Sequence, residues 1–223
     1  MAVAFQAQGT SQTTSTPTTS MTFTKLTVAS GSDRCLVVAI AFGGNPGAFT
    51  KKNWDDTGTP QDLTLIASAA ASDNLGFVYL FGLVNPNVGN NTLALTWTNS
   101  IDFCCDAVSF TGVDQTGSAT TFKNANNLVG NGTSPQAIEI VSPSGDMAVA
   151  GFAGSVVSFG VASVGTEVFA DNTNVSAAMM YNAGVGYTSI SIVLTTGGGT
   201  PMVIVGCDIA MAPTADMMPQ ILM

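Results

Sequence analysis

"RCLVVAIAF", residues 34–42, decides the fold, because eight apolar residues follow Arg34 without interruption. A strand with one solvent-facing side alternates apolar and polar residues, whereas an unbroken apolar run of this length is typical of a strand buried on both faces. The turn-forming segment GGNPG follows directly and ends the run. The sequence therefore predicts a central strand at Arg34–Phe42 with a layer of protein on each side.

The rest of the chain is also divided into short apolar runs by clusters of Gly, Asn, Asp, Pro and Ser. LGFVYLFGLV, residues 75–84, predicts a second core strand. Residues 92–98 alternate, so that Leu93, Leu95 and Trp97 share one buried face. No segment shows the period of a helix. About a dozen strands joined by short turns predict an all-β fold, an antiparallel β-sandwich of jelly-roll type.

Residues 1–212 are predicted to form one domain, because neither half has enough strands to close alone. The polar stretch over residues 112–135 is interpreted as a long crossover between sheets. Residues 9–20, GTSQTTSTPTTS, are interpreted as a connector, since Pro17 suits a central strand poorly. The uncharged segment Met147–Val164 is long enough to span a bilayer, but a strand–turn–strand with its turn near Gly154 explains its small residues better.

The C-terminal segment, residues 213–223, differs in kind from the strands before it. Two prolines prevent regular structure, while much of the remainder is apolar. An exposed apolar tail is costly unless it docks, so one hypothesis is an extended arm that contacts a neighbouring subunit or its own body. A disordered terminus is the alternative. The predicted contact residues are Met217, Met218, Ile221 and Leu222.

Charge is scarce in this chain. Only 9% of the residues are Asp, Glu, Lys or Arg, where about 25% is usual. We expect much of the surface to be covered by other subunits, or the protein to be a durable extracellular or particle protein. With a net charge of −9 and five basic residues, nucleic acid and anionic membranes are not expected partners.

The N-terminal sequence MAVAFQAQGT shows no secretory signal. If the protein is secreted, it has lost its leader or uses another route. The cysteines are expected to be free thiols, which suits synthesis in a reducing cytoplasm. They are Cys35, Cys104, Cys105 and Cys207. Cys104 and Cys105 are adjacent in a predicted strand, so their side chains point to opposite faces and are poorly placed to bridge each other.

Catalytic groups are few. The absence of His removes Ser–His and Cys–His nucleophiles and the commonest metal ligand. Glu139 and Glu167 are the only glutamates for paired-carboxylate chemistry, and Glu139 alternates as a strand residue facing solvent would. Asp55, Asp56 and Asp114 offer oxygens for Ca²⁺, but an Asp before a turn more often accepts backbone hydrogen bonds. We expect no enzyme activity and no cofactor.

Aromatic side chains offer a possible glycan contact, because an exposed ring stacks on a sugar face. The candidates are Trp54, Tyr79, Trp97, Tyr181 and Tyr187. Trp54 is preferred because it lies among charges in KKNWDD, next to Lys51 and Lys52, although a Trp near a strand end also commonly caps a core. These three residues form the predicted surface ligand contact.

The order of several segments resembles a widespread group of bacteriophage and metagenomic β-sandwich proteins. The matching elements are GSDRCLVVAIAF, LGFVYLFGLVNPNVGNNTLALTW, AVSFTGVDQ, SPSGDMAVAGFAG and MVIVGCDIAMAP. The family's Y-N-G turn is replaced here by NWDDTG, and the C-terminal arm lies outside the pattern. The resemblance implies a non-enzymatic virion protein such as a capsid decoration or cement protein. It would pack as an oligomer with itself and with partners such as the major capsid protein. A receptor- or glycan-binding tail module is the alternative.

Overall fold

A computed structural model of the chain describes residues 2–130, 134–154, 158–172, 175–196 and 201–213. These residues form an all-β fold with antiparallel strand pairs, which confirms the predicted class. The strands of the first sheet are β1 Ala4–Gln8, β2 Gln12–Val28, β3 Cys35–Phe42, β4 Phe49–Trp54, β5 Gln61–Asp62, β6 Thr64–Ala70, β7 Phe77–Val84 and β8 Gly89–Thr111. The remaining elements are α1 Ser118–Thr121, β9 Phe122–Gly130, β10 Gln136–Ser142, β11 Met147–Gly154, β12 Ser158–Val164, β13 Thr166–Asp171, β14 Ser176–Ala183, β15 Gly186–Thr196 and β16 Met202–Ile209.

The first sheet is organised around the long strand β8. Residues 93–97 of β8 pair with β4, and residues 103–110 pair with β3, which continues to β7 and then β6. On its other edge β8 pairs with β2 and β1. Side chains from both halves of β8 share one apolar cluster with alternate residues of β3. The sheet therefore curls over itself into a nearly closed barrel around this cluster.

Strand β3 is buried on both faces, as its unbroken apolar run predicts. Leu36, Val38, Ile40 and Phe42 point into the barrel. Their neighbours Cys35, Val37, Ala39 and Ala41 point out of it, into a second apolar cluster. Burial on both sides removes the need for polar alternation.

A second sheet covers one side of the barrel, and a third sheet lies beyond it. The order β13-β14-β11-β16-β9 forms the second sheet, whose strands β11 and β16 are buried along their whole length. The third sheet has the order β10-β15-β12 and packs on the far face of the second through a third apolar cluster. The segment Met147–Val164 thus forms two strands, as predicted, but they belong to different sheets. No helix in the described part of the chain is long and apolar enough to cross a membrane.

Two predicted connectors are strands. β2 runs through the segment interpreted as a connector, and its pairing with β8 shifts between Thr14 and Thr18. Pro17 lies inside this irregular part, where its missing N–H removes no regular ladder bond. The predicted crossover over residues 112–135 is a connection only in its first part, between Thr111 and α1. The residues after α1 form β9 at the edge of the second sheet. The sequence does not predict β9, because seven of its nine residues are exposed and four of them are Lys or Asn.

Candidate functional site

The predicted surface contact at Trp54 is wrong. Trp54 is 0% exposed and pairs with Leu93 inside the barrel, and its Nε1 donates to the Asn87 carbonyl at 3.0 Å. Side chains along β4 point alternately to the two faces of the sheet. The ring of Trp54 therefore points into the barrel, although charged residues flank it in the sequence. Lys51 forms an ion pair with Asp56 at 2.6 Å, and Lys52 Nζ donates to the Leu63 carbonyl at 3.1 Å.

The Asp residues considered as calcium ligands act as turn residues. Asp55 Oδ2 accepts hydrogen bonds from Thr59 N at 3.1 Å and Asn87 Nδ2 at 2.8 Å. Asp114 accepts from both the backbone N–H and the hydroxyl of Thr116, at 3.0 and 2.9 Å. Burial alone would raise the pKa of Asp114, but these hydrogen bonds bring it below its usual value. Among the described residues, no three His, Cys, Asp or Glu side chains are grouped so that they could hold a metal ion.

Two buried aspartates have strongly perturbed acidity. Burial raises the pKa of Asp106 to about 7, against a lowering hydrogen bond from Ala107 N. Burial also raises the pKa of Asp208 to about 7, while a 2.7 Å hydrogen bond from Ser142 Oγ lowers it. The neighbouring carboxylate of Asp146 raises it further. A carboxyl group held neutral near pH 7 is a feature of some catalytic sites.

The carboxyl pair lies at one end of the core between the second and third sheets. Asp208 Oδ2 meets no donor among the described residues, and Asp146 Oδ1 already accepts from Met211 N at 2.9 Å. The two carboxyl groups can therefore hydrogen-bond to each other only when one of them carries a proton. Both Asp208 and Asp106 are almost completely buried. Neither carboxyl group is accessible to solvent in the described part of the chain.

The exposed face of the third sheet carries the most prominent surface feature. Tyr187 is 79% exposed, and Val141, directly opposite it on β10, is 45% exposed. Val185, in the turn before β15, is 74% exposed. Val141, Val185 and Tyr187 are called the tyrosine patch below. Directly opposed residues on one face of a sheet have Cβ atoms about 5 Å apart, so the Val141 and Tyr187 side chains form a continuous apolar surface.

Polar groups border the tyrosine patch. Glu139 lies exposed on β10 two residues from Val141 and pairs with Ser189. It faces solvent, as its alternation predicts. The sequence contains a signal for the outward direction of Tyr187. Ile190 and Ile192 lie on the opposite face of β15 from Tyr187, so their burial requires the tyrosine to point outward.

A separate cavity of about 280 Å³ lies between the first and second sheets. Its walls come from β6, α1 and the start of β9, and a contact of 3.3 Å between the hydroxyls of Thr64 and Ser118 crosses it. None of the lining residues is charged. They are Thr64, Leu65, Ile66, Ser118, Ala119 and Phe122.

Two further predictions concern the cysteines and the C-terminal segment. All four cysteines are free and buried. Cys104 and Cys105 belong to different apolar clusters on opposite faces of β8, as predicted. The predicted subunit-contact residues lie outside the described residues: Met217, Met218, Ile221 and Leu222.

Comparison of this chain with protein-family models, with curated proteins and with solved structures finds no match in any of the three.

Proposed function

We propose that the protein is a non-enzymatic structural component of a bacteriophage particle, most specifically a decoration or cement protein that packs on the capsid surface. The tyrosine patch is the observation that carries this proposal. An aromatic ring with most of its surface in water, beside two exposed valines, is typical of a surface that another protein covers. The sequence resemblance supplies the particle context.

The charge content supports the same proposal. A free-standing domain relies on surface charge to avoid association, and this chain has only 9% charged residues. Oligomer formation and attachment to other virion proteins, such as the major capsid protein, would cover this surface. The protein would then be made in the host cytoplasm, where its cysteines stay reduced, and would reside in the virion.

A solution experiment tests the patch directly. Light scattering after size-exclusion chromatography should show an oligomer for the parent chain and a smaller species for Val185→Asp, since a buried unpaired charge disfavours association. Val88→Asp is the matched control, because Val88 is 48% exposed and lies outside the patch. An unchanged mass for Val185→Asp, or a monomeric parent chain, contradicts a subunit contact there.

A particle experiment tests the location. Mass spectrometry of purified virions from a phage that encodes the chain should detect it in a fixed ratio to the major capsid protein. Its absence from particles would contradict the virion role even if the chain is oligomeric.

Glycan binding is the second candidate function, and the same patch favours it. The exposed ring of Tyr187 offers a stacking face, and Glu139 and Ser189 lie beside it on the same sheet. A carboxylate and a hydroxyl next to an aromatic face can bind sugar hydroxyls while the ring contacts the apolar sugar face. Binding on a glycan array should be lost in Tyr187→Ala and retained in Tyr187→Phe. Absence of binding by the parent chain excludes this candidate.

A further inference from the structure

We propose that the cavity between β6, α1 and β9 is the docking site for the apolar C-terminal segment of the same chain, residues 214–223. Three features support this assignment: the chemistry of the cavity, the place where the chain leaves the second sheet, and the composition of the segment that follows. It is independent of the particle role proposed above.

The cavity fits an apolar, uncharged occupant. Four of its six lining residues are apolar, and the two polar lining side chains are the hydroxyls of Thr64 and Ser118, which contact each other. Leu65 remains 47% exposed in the described part of the chain. An apolar side chain that entered the cavity would remove this leucine from water without leaving a charged group unpaired.

The chain leaves the second sheet beside the wall of this cavity. Immediately after β16, Ala210 N donates to the Thr121 carbonyl at 2.8 Å. Thr121 is the last residue of α1, the helix that supplies Ser118 and Ala119 to the cavity. Ala212 N then donates to the Gly112 carbonyl at 2.8 Å. Pro213, the last described residue, therefore follows a residue that is bonded to Gly112, in the segment that leads from β8 to α1.

The segment beyond Pro213 has the composition that the cavity requires. It reads TADMMPQILM, with Asp216 as its only charged side chain. Methionine adapts to irregular apolar surfaces because its side chain is unbranched and flexible. An extended chain spans about 3.3–3.6 Å per residue, so the segment has more than enough length to enter a cavity that begins at α1. Its apolar residues are Met217, Met218, Ile221, Leu222 and Met223.

Attachment to the same chain favours this occupant over the segment of another copy. A short linker gives an effective concentration in the millimolar range, far above the concentration of a second chain in dilute solution. Docking within one chain is therefore the expected arrangement at low protein concentration.

Disulfide trapping in the full chain tests the proposal. The variant Ala119→Cys with Met218→Cys places one thiol at the cavity and one in the segment, while the four native thiols are buried. Val129→Cys with Met218→Cys is the control. Val129 is 47% exposed. It lies on β9, seven residues and about 23 Å from the cavity residue Phe122. Under mild oxidation, we expect a disulfide within one chain to form at least about tenfold faster at position 119 than at position 129.

The other outcomes overturn the proposal. Disulfide-linked dimers from the Ala119→Cys pair would show that the cavity binds the segment of a second copy. Equal rates at the two positions, or no disulfide at position 119, would show that the segment does not enter the cavity. Hydrogen exchange gives an independent readout: ending the chain after Pro213 should speed exchange in β6 and α1 and leave β10 unchanged, and no change at β6 contradicts docking.

Discussion

Replacing Asp106 by Asn should remove a large part of the pH dependence of this protein's stability. Asp106 lies on the outward face of β8, against the second sheet, and is 1% exposed. One carboxyl oxygen accepts from Ala107 N at 2.6 Å, and the other meets no donor among the described residues. With so little compensation for lost hydration, the neutral acid is favoured and burial raises the pKa to about 7.

The sign and size of the effect follow from linkage. The unfolded chain releases this proton near its ordinary pKa of 3.8, whereas the folded protein retains it until about pH 7. Between these values the folded state binds more protons, so the free energy of unfolding falls as pH rises. The contribution of Asp106 is fully present below pH 3.8 and is lost by about pH 7. The difference corresponds to roughly 4 kcal/mol.

Urea unfolding at pH 4 and pH 8 measures this contribution. The parent chain should lose about 4 kcal/mol more than Asp106→Asn between the two values. Any constant cost of burying the amide cancels, because only the change with pH is compared. Glu167→Gln, at an exposed carboxylate, should behave as the parent chain does. If Asp106→Asn and the parent chain lose the same free energy, burial of this carboxyl is not the cause and the reasoning fails.

Three further changes test other parts of the structure. Trp54→Ala should lower the free energy of unfolding by about 3–5 kcal/mol in urea, as expected for a deleted core side chain, which makes it unsuitable as a binding-site variant. Gly82→Ala should cost about 1–3 kcal/mol in the same assay, because the new methyl group would overlap the ring of Phe122; an unchanged stability would contradict this packing. Ser142→Ala removes the hydrogen bond that lowers the pKa of Asp208, so the pH range over which stability is lost should extend upward in pH-dependent unfolding, and an unshifted range would refute the contact.

The central strands could be predicted because their burial needs no knowledge of a partner. β3 and β11 have no charged or polar side chain, β16 has only Asp208, and all three strands are buried along their whole length. An unbroken apolar run of this kind indicates burial on both faces, whichever elements pack against the strand. Trp97 was predicted correctly for the same reason, since it keeps the period of Leu93 and Leu95 and lies in the barrel core.

The layers and the surface could not be predicted, because they depend on which strands become neighbours. Lys51 and Lys52 surround Trp54 with charge in the sequence, yet Lys52 bonds to the Leu63 carbonyl and Trp54 fills the barrel. The outward direction of Tyr187 follows from the alternation of β15, but its isolation on the surface depends on the fact that the third sheet is covered on one side only. Local charge was therefore a poorer guide to exposure than strand period.

Strand β9 shows how a protein with so few charges can protect its sheet edges. An unpaired edge invites association with other chains, and lysines are a common protection. Here Asn124 Nδ2 donates to the Val141 carbonyl at 2.6 Å, and Asn126 Nδ2 donates to the Glu139 carbonyl at 3.1 Å. Amide side chains of one edge strand thus occupy backbone acceptors of β10, the edge of the next sheet. The asparagines that make residues 122–130 look like a loop are the groups that join two sheets without using charge.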